Sequence, residues 1–258
     1  MSHSLNMVAL YTIVRREIAR IMRIWTQTLI PPVITMTLYF VIFGKLIGSR
    51  IGTIEGGYTF IQYLAPGLVM MSIITNSYGN ISSSFFGAKF SRAVEEMLVS
   101  PMPNWVILSG YVIGAVVRGL AVGTLVLAVA LFFTSLHLKH PLIALLAILL
   151  GSVIFSLAGF INAVYAKKFD DIALVPTFII APLAYLGGVF YSIKMLGEPW
   201  QAISRINPIL YMVNAFRYGV LGISDVGVGT AFAVMGLFVA VLATFALQLL
   251  KRGVGLRS

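Results

Sequence analysis

LIALLAILLGSVIFSLAGFINAVY, residues 142–165, runs for 24 residues without a charge. As a helix rising about 1.5 Å per residue it measures about 36 Å, enough to cross a hydrocarbon layer of about 30 Å. With no aqueous face, such a helix must bury every side in lipid or in other helices. Five more stretches of comparable character surround it, at 29–47, 60–82, 105–134, 172–191 and 230–250. Between them they leave no room for a soluble domain. The expected fold is therefore an all-α membrane protein, a single transmembrane domain over 1–258 with six spans.

Composition points the same way. The chain is 59 % apolar and 10 % charged, against about 25 % charged in an ordinary soluble domain. It has no cysteine, which excludes disulfides, thiolate metal sites and cysteine nucleophiles. The net charge of +10 would hint at nucleic acid in a soluble protein. In a membrane protein the bases report orientation instead, because cytoplasmic loops collect Lys and Arg. Arg15, Arg16, Arg20, Arg23, Lys89, Arg92, Lys167, Lys168, Lys251, Arg252 and Arg257 fall on one side of the six-span scheme. Lys45, Arg50, Lys139, Lys194, Arg205 and Arg217 fall on the other. That bias of eleven to six sets both termini in the cytoplasm. Arg15-Arg16 is not read as an export signal, since the apolar run behind it starts late, is long and lacks a small-residue cleavage site.

Residues 7–25 read as an amphipathic helix. Met7, Leu10, Tyr11, Val14, Ile18, Ile21, Met22 and Trp25 recur at steps of three and four among Arg15, Arg16, Glu17, Arg20 and Arg23. It suits the headgroup plane of an anionic leaflet, packing on the protein's own cytoplasmic side, or both. Pro31 and Pro32 are placed in the first turn of the span that follows.

The second span is the least oily, carrying Asn76, Ser77, Asn80, Ser82, Ser83 and Ser84. Those residues serve close helix packing or a face on a polar pathway. Arg118 is the one charge well inside a span, costing about 2.5–3.5 kcal/mol at the bilayer centre on insertion scales. Its guanidinium either faces the bundle interior, a wet cleft or a lipid phosphate, or it snorkels to the headgroups. Asn76, Asn80 and Arg118 are the pathway candidates.

In the loop 90–104, FSRAVEEMLVSPMPN, residues 93–99 make two turns of helix, with Ser91 as a possible cap and Ser100-Pro101 as the stop. Glu95-Glu96 exposed beside Met97-Leu98 make a plausible docking knob. Asp170 or Asp171 is expected to cap the helix after the tight turn at Lys167-Lys168. From 192 to 222 the chain is neither a span nor a hydrophilic loop. Glu198-Pro199-Trp200 starts one short helix and Asn207-Pro208 caps a second, whose stripe is Ile209, Leu210, Met212, Val213, Phe216 and Val220. Segments this short are expected to be re-entrant or interfacial, on the non-cytoplasmic side. Arg205 and Arg217 are expected near the outer headgroups.

No phosphate loop, dinucleotide fingerprint or nucleophile elbow occurs. His3, His137 and His140 show no paired ligand spacing, and the spans hold no acid of the kind a proton relay needs. No catalytic, cofactor or metal residue is therefore assigned, and no nucleic-acid partner.

The order of these elements resembles the ABC-2 type of ABC transporter permease, above all at PTFIIAPLAYLGGVFYSI (176–193) and NPILYMVNAFRYG (207–219). Within that family it is most similar to the YadH-like bacterial inner-membrane permeases. The resemblance covers essentially the whole chain. It implies the transport subunit of an ATP-driven exporter in the bacterial inner membrane, not itself an enzyme, working as a homodimer with a separate ATPase that binds ATP and Mg. It makes Ala93, Val94, Glu95, Glu96, Met97 and Leu98 the coupling helix that meets the ATPase. Residues 7–25 become the connecting helix beside it. The hairpin 192–222 becomes the pair of helices closing the outer end, with Asn207, Pro208 and Arg217 as outer-gate residues. The alternatives are a secondary carrier or channel needing no ATPase, which calls for buried acids or internal repeats, and a membrane-embedded lipid enzyme, which calls for convergent catalytic groups.

Overall fold

The computed structural model describes residues 3–48, 52–54 and 57–255. Arg50 and Arg257 of the charge count lie outside them. The described residues are helical throughout, apart from loops and one isolated bridge between Thr53 and Thr59.

In chain order the helices are α1 (His3–Arg23), α2 (Trp25–Tyr39) with a π-helical continuation (Phe40–Ile47), α3 (Phe60–Phe90), α4 (Ala93–Val99), α5 (Asn104–Phe133) and α6 (Pro141–Tyr165). There follow α7 (Phe169–Val175), a π-helical segment (Pro176–Ile180) and α8 (Ala181–Leu186), then α9 (Glu198–Ile206), α10 (Pro208–Leu221) and α11 (Val228–Arg252). Among the described residues, five helical stretches are long and apolar enough to cross a membrane: 25–44, Asn104–Phe133, Pro141–Tyr165, Phe169–Leu186 and Val228–Arg252. At 31 residues, α3 has the length but is more polar than these.

The reason lies in its position. α3 is the centre of the bundle, packed against α5, α6 and α10. A helix walled by protein need not be oily, and its buried set includes Ser72, Asn76, Ser77, Asn80 and Ser82. Lipid tails are as apolar as leucine, so helices in a bilayer associate through close approach and interhelical hydrogen bonds. α5 supplies the close approach twice. Gly110 and Gly114 receive Ile13 and Glu17 of α1, while Gly119 and Gly123 receive Ser77 and Ile73 of α3. These are two G-x-x-x-G steps on one helix, each admitting a different neighbour. The core divides along α3. One cluster gathers Leu64, Leu68, Ile73, Met212 and Phe216; the other gathers Phe85, Phe86, Val94, Tyr111 and Phe160.

Several boundaries differ from expectation. α2 begins at Trp25, so Pro31 and Pro32 lie inside the helix and not in its first turn. The span starts almost without a break after α1, and proline within a spanning helix is tolerated where neighbouring groups satisfy the backbone it frees. The fifth stretch stops at Leu186, where Gly188 turns the chain at φ +69. Ser91 does not cap α4. α3 runs on to Phe90, the Ser91 hydroxyl bonds back to Ala88 O, and Arg92 makes the corner at φ 61. The turn before α7 is capped as expected: Asp171 accepts the backbone N–H of Lys167 (2.8 Å) and of Lys168 (3.0 Å).

α1 presents two apolar faces. Ile13 and Ile21 are buried on the bundle, whereas Tyr11, Ile18 and Met22 point outward; Trp25, expected on the same helix, is exposed but opens α2. Packing on the protein and contact with the headgroup plane thus use different sides of one helix.

Candidate functional site: polar clusters at the two ends of α3

Asn76, Asn80 and Ser84 stand at four-residue steps, hence on one face of α3. Each meets a charge from another helix. Arg118 Nη2 of α5 donates to Asn76 Oδ1 at 3.4 Å. Arg20 Nη2 of α1 donates to Asn80 Oδ1 at 2.7 Å and to Asn80 O at 3.2 Å. Ser84 Oγ donates to Glu17 Oε1 at 2.6 Å.

Glu17 ties the row together. It is 1 % exposed, with Arg20 at 3.2 Å and Arg16 at 3.8 Å. Arg16 in turn donates to the Tyr111 hydroxyl at 2.5 Å. A buried carboxylate is tolerable only when paired and hydrogen-bonded, and these contacts meet that condition. Three helices are joined here by side chains that none could bury alone. A groove of about 420 Å³ opens beside the row, walled by Arg16, Arg20, Arg23, Ser83 and Ser84.

Asn76, Asn80 and Arg118, each a pathway candidate from its residue type and place in a span, lie along one seam. Glu17 and Arg20, which the amphipathic pattern assigns to the polar side of the helix, were not among the candidates. The signal was available: Ile13, Glu17 and Ile21 share a four-residue step, which puts the acid on the buried face.

The other end of α3 carries a second cluster. Arg217 of α10, expected near the outer headgroups, is instead wholly buried. α10 is wedged between α6, α11 and α3, with Gly219 against the backbone of Ala144. Arg217 Nε donates to Tyr63 O (3.3 Å) and Nη2 to Gly188 O (2.7 Å), and the guanidinium lies 3.9 Å from the centroid of the Tyr63 ring. The Tyr63 hydroxyl donates to Asp225 Oδ2 at 3.3 Å. Asp225 also accepts from Ser192 Oγ (2.7 Å) and Ile193 N (3.2 Å). Asn207 caps α10 by accepting the Ile209 N–H at 2.9 Å, and its amide donates to Leu183 O at 2.5 Å. Pro208 occupies the first helical position, where its missing N–H costs nothing. Tyr63 and Gly188 lie 154 and 29 positions from Arg217, and Asp225, though only a few residues beyond α10, joins the cluster through Tyr63, Ser192 and Ile193, so no local pattern marks them.

At the end where α3 stops, α4 stands out from the bundle. Val94 anchors it at 1 % exposure, while Glu96 and Val99 are exposed. Met97 and Leu98 are half-buried against the inner core. Beside it lies a groove of about 490 Å³ walled by Phe90, Arg92, Glu95 and Lys167. No group of three or more His, Asp or Glu side chains able to hold a metal occurs among the described residues.

A helical bundle with a polar seam at its centre and several helices long and apolar enough to cross a membrane has the layout of a multi-pass membrane protein. Residues 8–221 match the family model described as ABC-2 type transporter. The chain is 56 % identical to the inner membrane transport permease YadH of Escherichia coli (strain K12) over 97 % of this chain and 98 % of that protein. The same protein from Shigella flexneri matches to the same extent. Nodulation protein J of Rhizobium meliloti (strain 1021) is 24 % identical over 83 % of this chain and 82 % of its own length. The chain belongs to the ABC-2 type transporter family, as a membrane permease.

Proposed function

We propose that this chain is the membrane half of an ATP-driven exporter of the bacterial inner membrane, acting as two copies with two separate ATPase subunits that bind ATP and Mg. The observation that carries the reading is α4. It is a two-turn helix on a rigid corner, pinned by Val94, with Glu96 and Val99 turned outward at the end where the bases collect. A helix that contributes so little to its own core is suited to a groove on a partner.

Six crossings are proposed, α3 being the sixth, with α9 and α10 as a hairpin on the non-cytoplasmic side and both termini cytoplasmic. The homodimer seam is assigned to spans one and five. In each, only 17 % of the most apolar window is buried, against 50 % in α6. Tyr39 and Phe43 of the first meet Phe190 just beyond the fifth at 5.9 and 5.7 Å between ring centroids.

In the mechanism we infer, ATP closes the ATPases, and their differing affinity for two permease states shifts the equilibrium between them. α4 and α1 pass the movement to α3 through the Glu17–Arg20–Asn80 contacts, as rigid-body rocking about the dimer seam. Asn76, Asn80 and Arg118 line the path, and Asn207, Pro208 and Arg217 hold its outer end closed. The test is co-purification. An ATPase subunit recovered in equal ratio with this chain, lost when Glu95 and Glu96 are both changed to Lys, is the expected result. Vesicles holding this chain alone that transport at full rate without nucleotide would overturn it.

A further inference from the structure

Arg16, Arg20 and Arg23 follow one another at steps of four and three along α1, so their side chains share one face. All three border the groove of about 420 Å³ between α1 and α3, opposite Ser83, Gly87 and Ser91. That volume is in the range of small-ligand sites. The α3 side is small and open: a side chain built on Gly87 would meet nothing within 4 Å. Ser83 and Ser91 donate their hydroxyl protons to Gly79 O (2.7 Å) and Ala88 O (3.2 Å). Recognition in the groove therefore falls to the guanidiniums.

These are reachable. The Arg16 side chain is 48 % exposed, that of Arg20 is 29 % exposed, and Arg23 is exposed. The hydrogen bonds of Arg16 and Arg20 to Tyr111, Glu17 and Asn80 all leave from Nη2, one nitrogen of a fork that carries five N–H donors. Glu17 is the one carboxylate bordering the groove, and it is buried and already engaged by Ser84 and Arg20. Three guanidiniums against one carboxylate leave an excess of two positive charges.

The helix geometry indicates the phase from which an anion arrives. Tyr11, Ile18 and Met22 form the outward apolar side of α1. At about 100° per residue, Ile18 lies about 160° round the axis from both Arg16 and Arg20. The side suited to lipid thus faces away from the groove, and a lipid lying against it could not set its headgroup among the arginines.

We propose that this groove binds a phosphate group carried by a water-soluble molecule, held by Arg16, Arg20 and Arg23. A dianionic phosphate matches the excess charge, and its oxygens suit guanidinium forks through charge-assisted hydrogen bonds. The open floor at Gly87 leaves room for the rest of the molecule. In the transport reading, on which the role of the site rests, phosphorylated cargo enters here. The binding itself is measured without a partner or transport, so its failure would leave the ATPase co-purification result untouched.

The experiment titrates the purified full chain, in a non-ionic detergent, with inorganic pyrophosphate, with sodium chloride at matched ionic strength, and with short-chain phosphatidylglycerol. The rise in the thermal unfolding midpoint gives an apparent affinity. Pyrophosphate should raise the midpoint saturably, and chloride should not. Arg23→Gln should weaken pyrophosphate about three- to fivefold, as loss of one exposed charge does. Arg15→Gln removes the same charge from the same helix outside the groove and should leave the affinity within about twofold. Gly87→Leu fills the floor without a clash, so it should fold and should weaken binding about tenfold or more. Equal stabilisation by chloride, equal losses in Arg15→Gln and Arg23→Gln, or unchanged binding in Gly87→Leu would overturn the site. Tighter binding of phosphatidylglycerol than of pyrophosphate, lost in Arg23→Gln, would support the anion site and overturn the aqueous source.

Discussion

Replacing Glu17 by Ala tests whether α1 is a working part of the bundle or a surface float. The change removes the acceptor of Ser84 Oγ at 2.6 Å and the partner of Arg20 at 3.2 Å. A hydrogen bond to a buried charge contributes about 1.5–3 kcal/mol, although interhelical bonds in membranes average about 0.6 and reach about 1.7. The Arg20 side chain is 29 % exposed and keeps Asn80, so its loss adds a fraction of a kcal/mol, as for a solvent-screened pair. Together these give about 2 kcal/mol, or about 30-fold in the opening equilibrium of α1. Amide hydrogen exchange reads that equilibrium directly. The amides of the middle of α1 should exchange about 30-fold faster in Glu17→Ala, while those of α6 are unaffected. Glu17→Gln keeps an acceptor for Ser84 and should fall between. Exchange in Glu17→Ala within twofold of the unaltered chain would refute the claim that the buried carboxylate holds α1 to α3.

The other outcomes are simpler to measure. Glu95→Lys with Glu96→Lys should abolish capture of the ATPase yet leave the unfolding midpoint within a degree or two, since neither side chain belongs to the core. Arg118→Leu should insert normally and impair transport by removing the donor to Asn76; normal transport would favour a guanidinium that only reaches for headgroups. Gly119→Leu places a side chain against Ser77 and the carbonyl of Ile73 and should destabilise the bundle by at least the roughly 1–3 kcal/mol typical of overpacking, seen as a lowered midpoint in detergent. A reporter fused at either terminus should read cytoplasm, and a periplasmic signal would reverse the orientation.

The features legible in the sequence were those dictated by neighbours along the chain. The apolar run 142–165 became α6 within a residue at its start because length and oiliness alone specify a spanning helix. α4 came out at Ala93–Val99 because Pro101 ends it. α10 came out at Pro208–Leu221 because Asn207 caps it and Gly222, at φ 75, closes it. Hydropathy could not reveal which apolar surfaces face protein. It therefore set the first span four residues late and left the two π-helical segments unseen. Nor could it assign partners to charges. Arg20 meets a residue 60 positions away and Arg217 one 154 away. Arg217 looks like any basic residue near an interface until α10 is packed against α3.

Both charged clusters are anchored on α3. Tyr63 receives Arg217 near one end, and Ser84 meets Glu17 near the other, about 32 Å apart along a continuous helix. A helix buried along that length and closely approached at Gly119 and Gly159 from its neighbours transmits an axial or tilting displacement with little loss, because packed interiors deform poorly. α4 is attached to it through a single corner at Arg92. In the proposed mechanism a push on α4 thus reaches the outer hairpin through one element. Asn80 and Ser84, two of the polar residues that keep α3 from being oily, hold α1, Asn76 meets α5, and at the other end Tyr63 holds α10 through its backbone carbonyl and ring. The lower hydropathy of α3 is compatible with its burial among the other helices, and in the proposed mechanism it is the connecting shaft. A variant that cuts either cluster should therefore leave ATP turnover on the partner intact while transport falls, whichever end is cut.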